Sequence, residues 1–170
     1  MARIALIGLV VAMLGAANAS FAAQPPLRIV GFSRVGTFQV HGGTVAKARA
    51  AFGRPSQTRD LRRRSCEVSW RGLHISFYTL AHDTQCRPDT PFGSARITGA
   101  WVTDRGLRQG DPVAKARRLY PRAERPHFAG SHAIGLIVRL SQAVGDYGLA
   151  AVVDRGKVTA LVISDPQGGE

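Results

Sequence analysis

Ser65-Cys66-Glu67-Val68-Ser69-Trp70-Arg71-Gly72-Leu73-His74-Ile75-Ser76-Phe77-Tyr78 is the stretch whose reading decides the fold. Cys66, Val68 and Trp70 alternate with Glu67, Ser69 and Arg71. After Gly72, Leu73, Ile75 and Phe77 alternate with His74, Ser76 and Tyr78. A period of two places one set on each face of a strand, so the pattern predicts a hairpin with one dry face and one polar face. The polar set is the candidate binding surface, with Glu67, Arg71, His74 and Tyr78 as its anchors and Trp101 added from a later strand. A merely solvated face explains the same residues, because alternation requires a polar side whether or not anything binds.

Outward from the hairpin, Val45-Ala46-Lys47-Ala48-Arg49 recurs without a gap as Val113-Ala114-Lys115-Ala116-Arg117. Aligning the two copies also matches Ile29 with Ile97, Gly31 with Gly99, Gly42 with Gly110, and aromatic Phe52 with Tyr120. At a slightly shorter offset, residues 97–104 match residues 158–165. Thr44 is the expected N-cap of a helix carrying Val45, Ala48, Ala51 and Phe52, stopped by Gly53 and Pro55. Asp111 is the expected cap of a second, with Pro112 first and Val113, Ala116, Leu119 and Tyr120 as its stripe. Such short helices must pack on a sheet. Residues 133–140, 147–153, 158–164 and 95–103 read as further strands, giving about six strands and two helices. The expectation is an α+β fold built from a duplicated unit of one helix plus antiparallel strands, with the helices on one face of an antiparallel sheet. Its segments are an N-terminal piece at 20–35, a first repeat at 36–104, a second at 105–165 and a tail at 166–170.

Before these, Arg3 precedes an apolar run over residues 4–17 and then Ala17-Asn18-Ala19, the small-residue pattern of a secretory signal peptide covering residues 1–19. The run is shorter than the roughly 20 residues of a permanent span, although an uncleaved anchor reaching Ala23 is the alternative. Either way the remainder is exported. Cys66 and Cys86 bracket the hairpin, and an exported chain with an even cysteine count pairs them. No cysteine lies near the cleavage point, so a lipid anchor is not expected.

The chain has 23 Lys plus Arg against 11 Asp plus Glu, a net charge of +12, and cleavage would remove only Arg3 from that balance. This favours polyanions. Outside the cell these are wall polymers, anionic lipids or acidic proteins, so nucleic acid is not the expected partner. The densest run, Arg59-Asp60-Leu61-Arg62-Arg63-Arg64, reads as a loop between helix and strand, with Arg62, Arg63 and Arg64 as a candidate basic patch.

A helix-capping turn, a short helix ending in an aromatic plus Gly or Pro, and a following meander, at Gly43-Thr44 to Phe52-Gly53 and again from Gly106-Leu107-Arg108-Gln109-Gly110-Asp111 to Tyr120-Pro121, resemble the tandem-repeat beta-lactamase inhibitor proteins. Thr103 to Pro121 is similar to a segment of uncharacterised secreted actinobacterial proteins. The resemblance implies an open sheet face used as a clamp for a protein partner. The chain departs from it in carrying one cysteine pair, in the first copy only, and few aromatic residues. No inhibitory residue can be carried over.

Catalytic and metal signatures are missing from the sequence. His127 and His132 flank a glycine and have no carboxylate or thiol nearby to complete a zinc set. His82-Asp83 reads as a polar loop, no serine sits in a Gly-x-Ser-x-Gly elbow, and Gly42-Gly43 lacks the Lys-Ser/Thr of a phosphate loop. The reading is a noncatalytic secreted interaction module without cofactor or metal, engaging an extracellular or envelope protein. The alternative is a cell-envelope structural or assembly protein that contacts anionic wall polymer or lipid through its basic surface.

Overall fold

The alternating stretch folds as expected, as Ser65–Trp70 and Leu73–Tyr78 paired antiparallel around Arg71 and Gly72. Gly72 takes φ 73°, and a Cβ there would meet the Thr98 carbonyl oxygen at 2.6 Å, so this turn requires glycine. The computed structural model describes residues 27–61, 65–78, 86–141 and 145–165. The expected signal segment, Arg62, Arg63, Arg64, His82, Asp83 and the 166–170 tail lie outside the described residues.

In chain order the elements are β1 (Arg28–Val30), β2 (Arg34–Val35), β3 (Phe38–Gln39), α1 (Val45–Phe52), β4 (Gln57–Leu61), β5 (Ser65–Trp70), β6 (Leu73–Tyr78), β7 (Phe92–Ile97), β8 (Val102–Thr103), α2 (Val113–Leu119), β9 (Ala133–Ser141), β10 (Gly145–Asp154) and β11 (Lys157–Ser164). The larger sheet runs β4-β5-β6-β7-β11-β10-β9 and is antiparallel throughout. The smaller runs β3-β2-β1-β8, with β1 and β8 parallel.

Register converts the alternation into layers. Trp70, Leu73, Ile97 and Leu161 stand in one row across the larger sheet, and Val68, Ile75, Ala95 and Ile163 in the next. All are buried, and Ile29, Val35, Phe38, Val45, Ala48, Leu107, Ala116 and Tyr120 complete the core against them. Phe52 packs between Trp70 and Trp101, with centroids at 5.3 and 6.1 Å, and the Trp70 indole N–H donates to the Gly53 carbonyl at 3.1 Å. Burial of such rings at about 25 cal/mol per Å² outweighs the weak propensity of the short helices.

The α+β expectation is corrected. Among the described residues strand accounts for 49% and helix for 12%, in two sheets, so this is a mainly β protein and not a duplicated helix-plus-strands unit with helices over one sheet face. The two Val-Ala-Lys-Ala-Arg segments do both lie in helices, but their surroundings differ. The matched residues 158–165 fall largely in the unbroken strand β11, whereas 97–104 break after Ile97, turn through Gly99 at φ 80°, and send Val102 and Thr103 to pair with β1 in the other sheet. Arg59, Asp60 and Leu61, expected as part of a loop running to Arg64, belong instead to the exposed edge strand β4, because their backbone finds partners along β5.

The helix caps divide similarly. Thr44 Oγ1 accepts from the Lys47 N–H at 3.3 Å, as expected. Asp111 does not cap α2. Pro112 holds that position, while the Asp111 carboxylate accepts from the Arg108 N–H at 2.9 Å and pairs with Lys115 Nζ at 2.8 Å. Burial alone would raise the Asp111 carboxyl, but the Lys115 hydrogen bond and charge and the Arg108 N–H outweigh it and hold it below the ordinary 3.8.

Cys66 and Cys86 form a disulfide closing a separation of 20 residues. Replacing both by Ala should lower stability by roughly 3 kcal/mol in urea unfolding, and an unchanged midpoint would show the cross-link to be energetically idle. For Asp111, a depressed folded-state pKa contributes stability above the unfolded value that is lost as pH falls through the folded one. Asp111→Asn should therefore melt below the wild type at neutral pH, and the gap should close as pH drops below 3.8. A gap constant from pH 7 to 2 would contradict the assignment.

Candidate binding face

The face of the larger sheet opposite the core is built by the same register. One row reads Ser69, His74, Arg96 and Val162, and the next Glu67, Ser76, Ser94 and Ser164. Six of these residues, Glu67, His74, Ser76, Ser94, Arg96 and Val162, line an open groove of about 480 Å³. Glu67 and Arg96 put both charge signs in it, and Val162 adds an apolar contact at its far side.

His74 is tied down within this face. Its Nδ1 lies 3.0 Å from the buried Ser69 hydroxyl and 3.9 Å from Glu67 Oε1. Both partners meet the same ring nitrogen. A Ser-His-Glu relay needs the hydroxyl on one nitrogen and the carboxylate on the other, so the geometry orients the imidazole and leaves Nε2 outside these contacts.

Tyr78 is held differently. Between Ser76 and Phe77 the β6–β7 register slips, pairing Ser76 with Ser94 but Phe77 with Phe92, so Gly93 is an extra residue. The Tyr78 ring lies directly on Gly93, where any Cβ would overlap its Cδ2 and Cε2. The ring is thus seated against the backbone of β7 while the residue stays 46% exposed. A bulge that re-aims a side chain is a recurrent device beside functional surfaces.

The anticipated residues therefore separate. Glu67 and His74 line the groove, and Tyr78 sits on the same face toward Ser65. Arg71 is exposed in the β5–β6 turn at the end of the sheet, outside the groove. Trp101 belongs to the core at 4% exposure, its ring edge-on to Phe52 and its buried indole N–H without a hydrogen-bond partner among the described residues. It cannot serve the open face. Arg96 and Ser94 were the missed residues. Their alternation with Ala95 and Ile97 carried the signal, but only the pairing of β7 beside β6 sets Arg96 opposite His74.

His127 and His132 are exposed residues outside regular strands and helices. Among the described residues, the group with metal-like spacing is Asp60, Cys66 and Cys86, and its sulfurs are joined to each other rather than available as thiolates. No described helix is long and apolar enough to cross a membrane. No protein family, curated protein or solved structure matches the chain. The likeness to tandem-repeat inhibitor proteins stands on its sequence motifs alone.

Gly93→Ala should displace the Tyr78 ring, abolishing the nuclear Overhauser contacts between that ring and residue 93 and lowering stability by roughly 1–3 kcal/mol. Combining it with Tyr78→Ala should recover most of that loss. Equal destabilisation with and without the ring would show that the glycine serves the backbone instead.

Proposed function

We propose that the chain is a noncatalytic exported binding protein whose open sheet face, around Glu67, His74, Tyr78 and Arg96, engages an extracellular or envelope protein. The observation that carries this reading is the pre-ordered Tyr78 ring on Gly93, beside a groove of mixed charge. An anchored aromatic loses little freedom on binding and joins large contact area to a polar tip, the pattern of residues that dominate interfaces. Glu67 and Arg96 together favour a partner bearing both charge signs over a uniform polyanion. The disulfide suits an oxidising compartment, and the sequence resemblance points to the same sheet face as the working surface.

The second reading, an envelope assembly protein that holds anionic wall polymer or lipid, draws on the net charge of +12. The two are separated by capture from an extracellular protein fraction and from purified wall material across a salt series. For a sheet-face clamp, Tyr78→Ala and Arg96→Ala should each weaken capture by roughly tenfold or more, with modest salt dependence. Capture that is insensitive to both substitutions and collapses with salt would replace the clamp by the basic-surface reading.

A further inference from the structure

At the opposite end of the larger sheet, the chain leaving α2 crosses the outer edge of β9. The Glu124 N–H donates to the Gly135 carbonyl at 3.1 Å and the Gly135 N–H to the Glu124 carbonyl at 2.8 Å. Beyond that bridge lies a pocket of about 660 Å³ between the end of α2 and β9. It falls within the size range of small-molecule sites.

The floor is apolar by construction. Along β9 and β10 the register passes from Ile137 opposite Leu149 to Gly135 opposite Ala150, leaving Leu136 as an extra residue. Leu136 is 4% exposed and lines the pocket with the buried Tyr120 ring and neighbouring aliphatic side chains of β9. The rim is cationic. Arg105, Arg122 and Arg139 reach it from the turn after β8, the chain after α2 and β9 itself, against Glu124 alone of opposite sign.

These guanidiniums differ in their ties. Arg105 lies 5.0 Å over the Tyr120 ring and donates one N–H to the Leu119 carbonyl at 3.0 Å, so it is positioned with donors to spare. Arg122 and Arg139 have no salt bridge or side-chain hydrogen bond among the described residues. Convergent guanidiniums match phosphate and carboxylate oxygens, and a surplus of two positive charges over an apolar floor selects an anion with an apolar body. By contrast, the basic hollow at Arg49 and Arg54 has only Gly53 and Pro55 beneath it.

We propose that the pocket between α2 and β9 binds an anion carrying an apolar group, a phosphate or carboxylate joined to an aromatic or acyl body, held by Arg105, Arg122 and Arg139 over Leu136 and Tyr120. This site is separate from the open sheet face and does not depend on how that face is used. The shared chemistry is found in soluble organic phosphates and in anionic lipid headgroups.

The test is calorimetric titration of the full chain with phenyl phosphate, inorganic phosphate and phenol, repeated with Arg122→Gln, Arg139→Gln and the distant control Arg54→Gln. Phenyl phosphate should bind at least roughly tenfold tighter than either fragment, and each pocket variant should weaken it by about tenfold or more while Arg54→Gln changes nothing. Sedimentation with phosphatidylglycerol against phosphatidylcholine vesicles identifies the source. Pelleting lost on Arg122→Gln and Arg139→Gln assigns a lipid headgroup, and pelleting lost equally on Arg54→Gln leaves a soluble ligand. The proposal is overturned if phenyl phosphate binds no better than inorganic phosphate, a comparison that needs no variant. It is overturned equally if, in the titration, the pocket variants bind phenyl phosphate like the wild type, or if Arg54→Gln weakens phenyl phosphate binding as much as they do.

Discussion

The pairing of β7 with β11 is the constraint on which the rest of the structure depends. Leu161 opposite Ile97 and Ile163 opposite Ala95 join the meander that follows α1 to the meander that follows α2. Without that seam there would be a four-stranded and a three-stranded sheet, each with an exposed apolar face and each burying less than the continuous sheet does. With it, rows of side chains run from Trp70 through Leu73 and Ile97 to Leu161 over one continuous dry layer. The short strands β1, β2, β3 and β8 and both helices then close over that layer, adding Phe38, Val45, Ala48, Trp101 and Ala116 to the core.

Both candidate sites arise where the ladder slips. Gly93 is the extra residue of β7, and its missing side chain is the space the Tyr78 ring occupies. Leu136 is the extra residue of β9, and its side chain becomes the floor of the arginine-rimmed pocket. In a regular ladder residues alternate strictly between faces, so a bulge is the cheapest way to place one side chain out of sequence. One bulge serves the middle of the sheet and the other its outer strand, and the two sites accordingly differ in charge. The groove mixes Glu67 with Arg96, whereas the pocket sets three arginines against Glu124.

The strong positive charge of the chain is therefore not one uniform feature. Arg105 is bound to a backbone carbonyl and a ring, Lys115 is consumed by Asp111, and Arg122 and Arg139 are left to the pocket. Net charge bounds the class of partner. Where the cations converge is a property of chain crossing, set by the bridge between Glu124 and Gly135.

By itself the sequence determined what is local. Alternation over residues 65–78 specified a strand pair, its dry side and its polar side, because a period of two needs no information from elsewhere in the chain. Thr44 specified a helix start, and two cysteines around the hairpin specified their bond. The repeated pentapeptide was legible as two helices and misleading as a duplication, since a shared helical segment leaves open which strands follow and where those pair. Only the tertiary structure decided that Trp101 turns into the core, that Arg96 stands beside His74, and that Leu136 meets Tyr120. Each of these depends on the register between segments far apart in the chain, and a shift of one residue would carry every side chain to the other face.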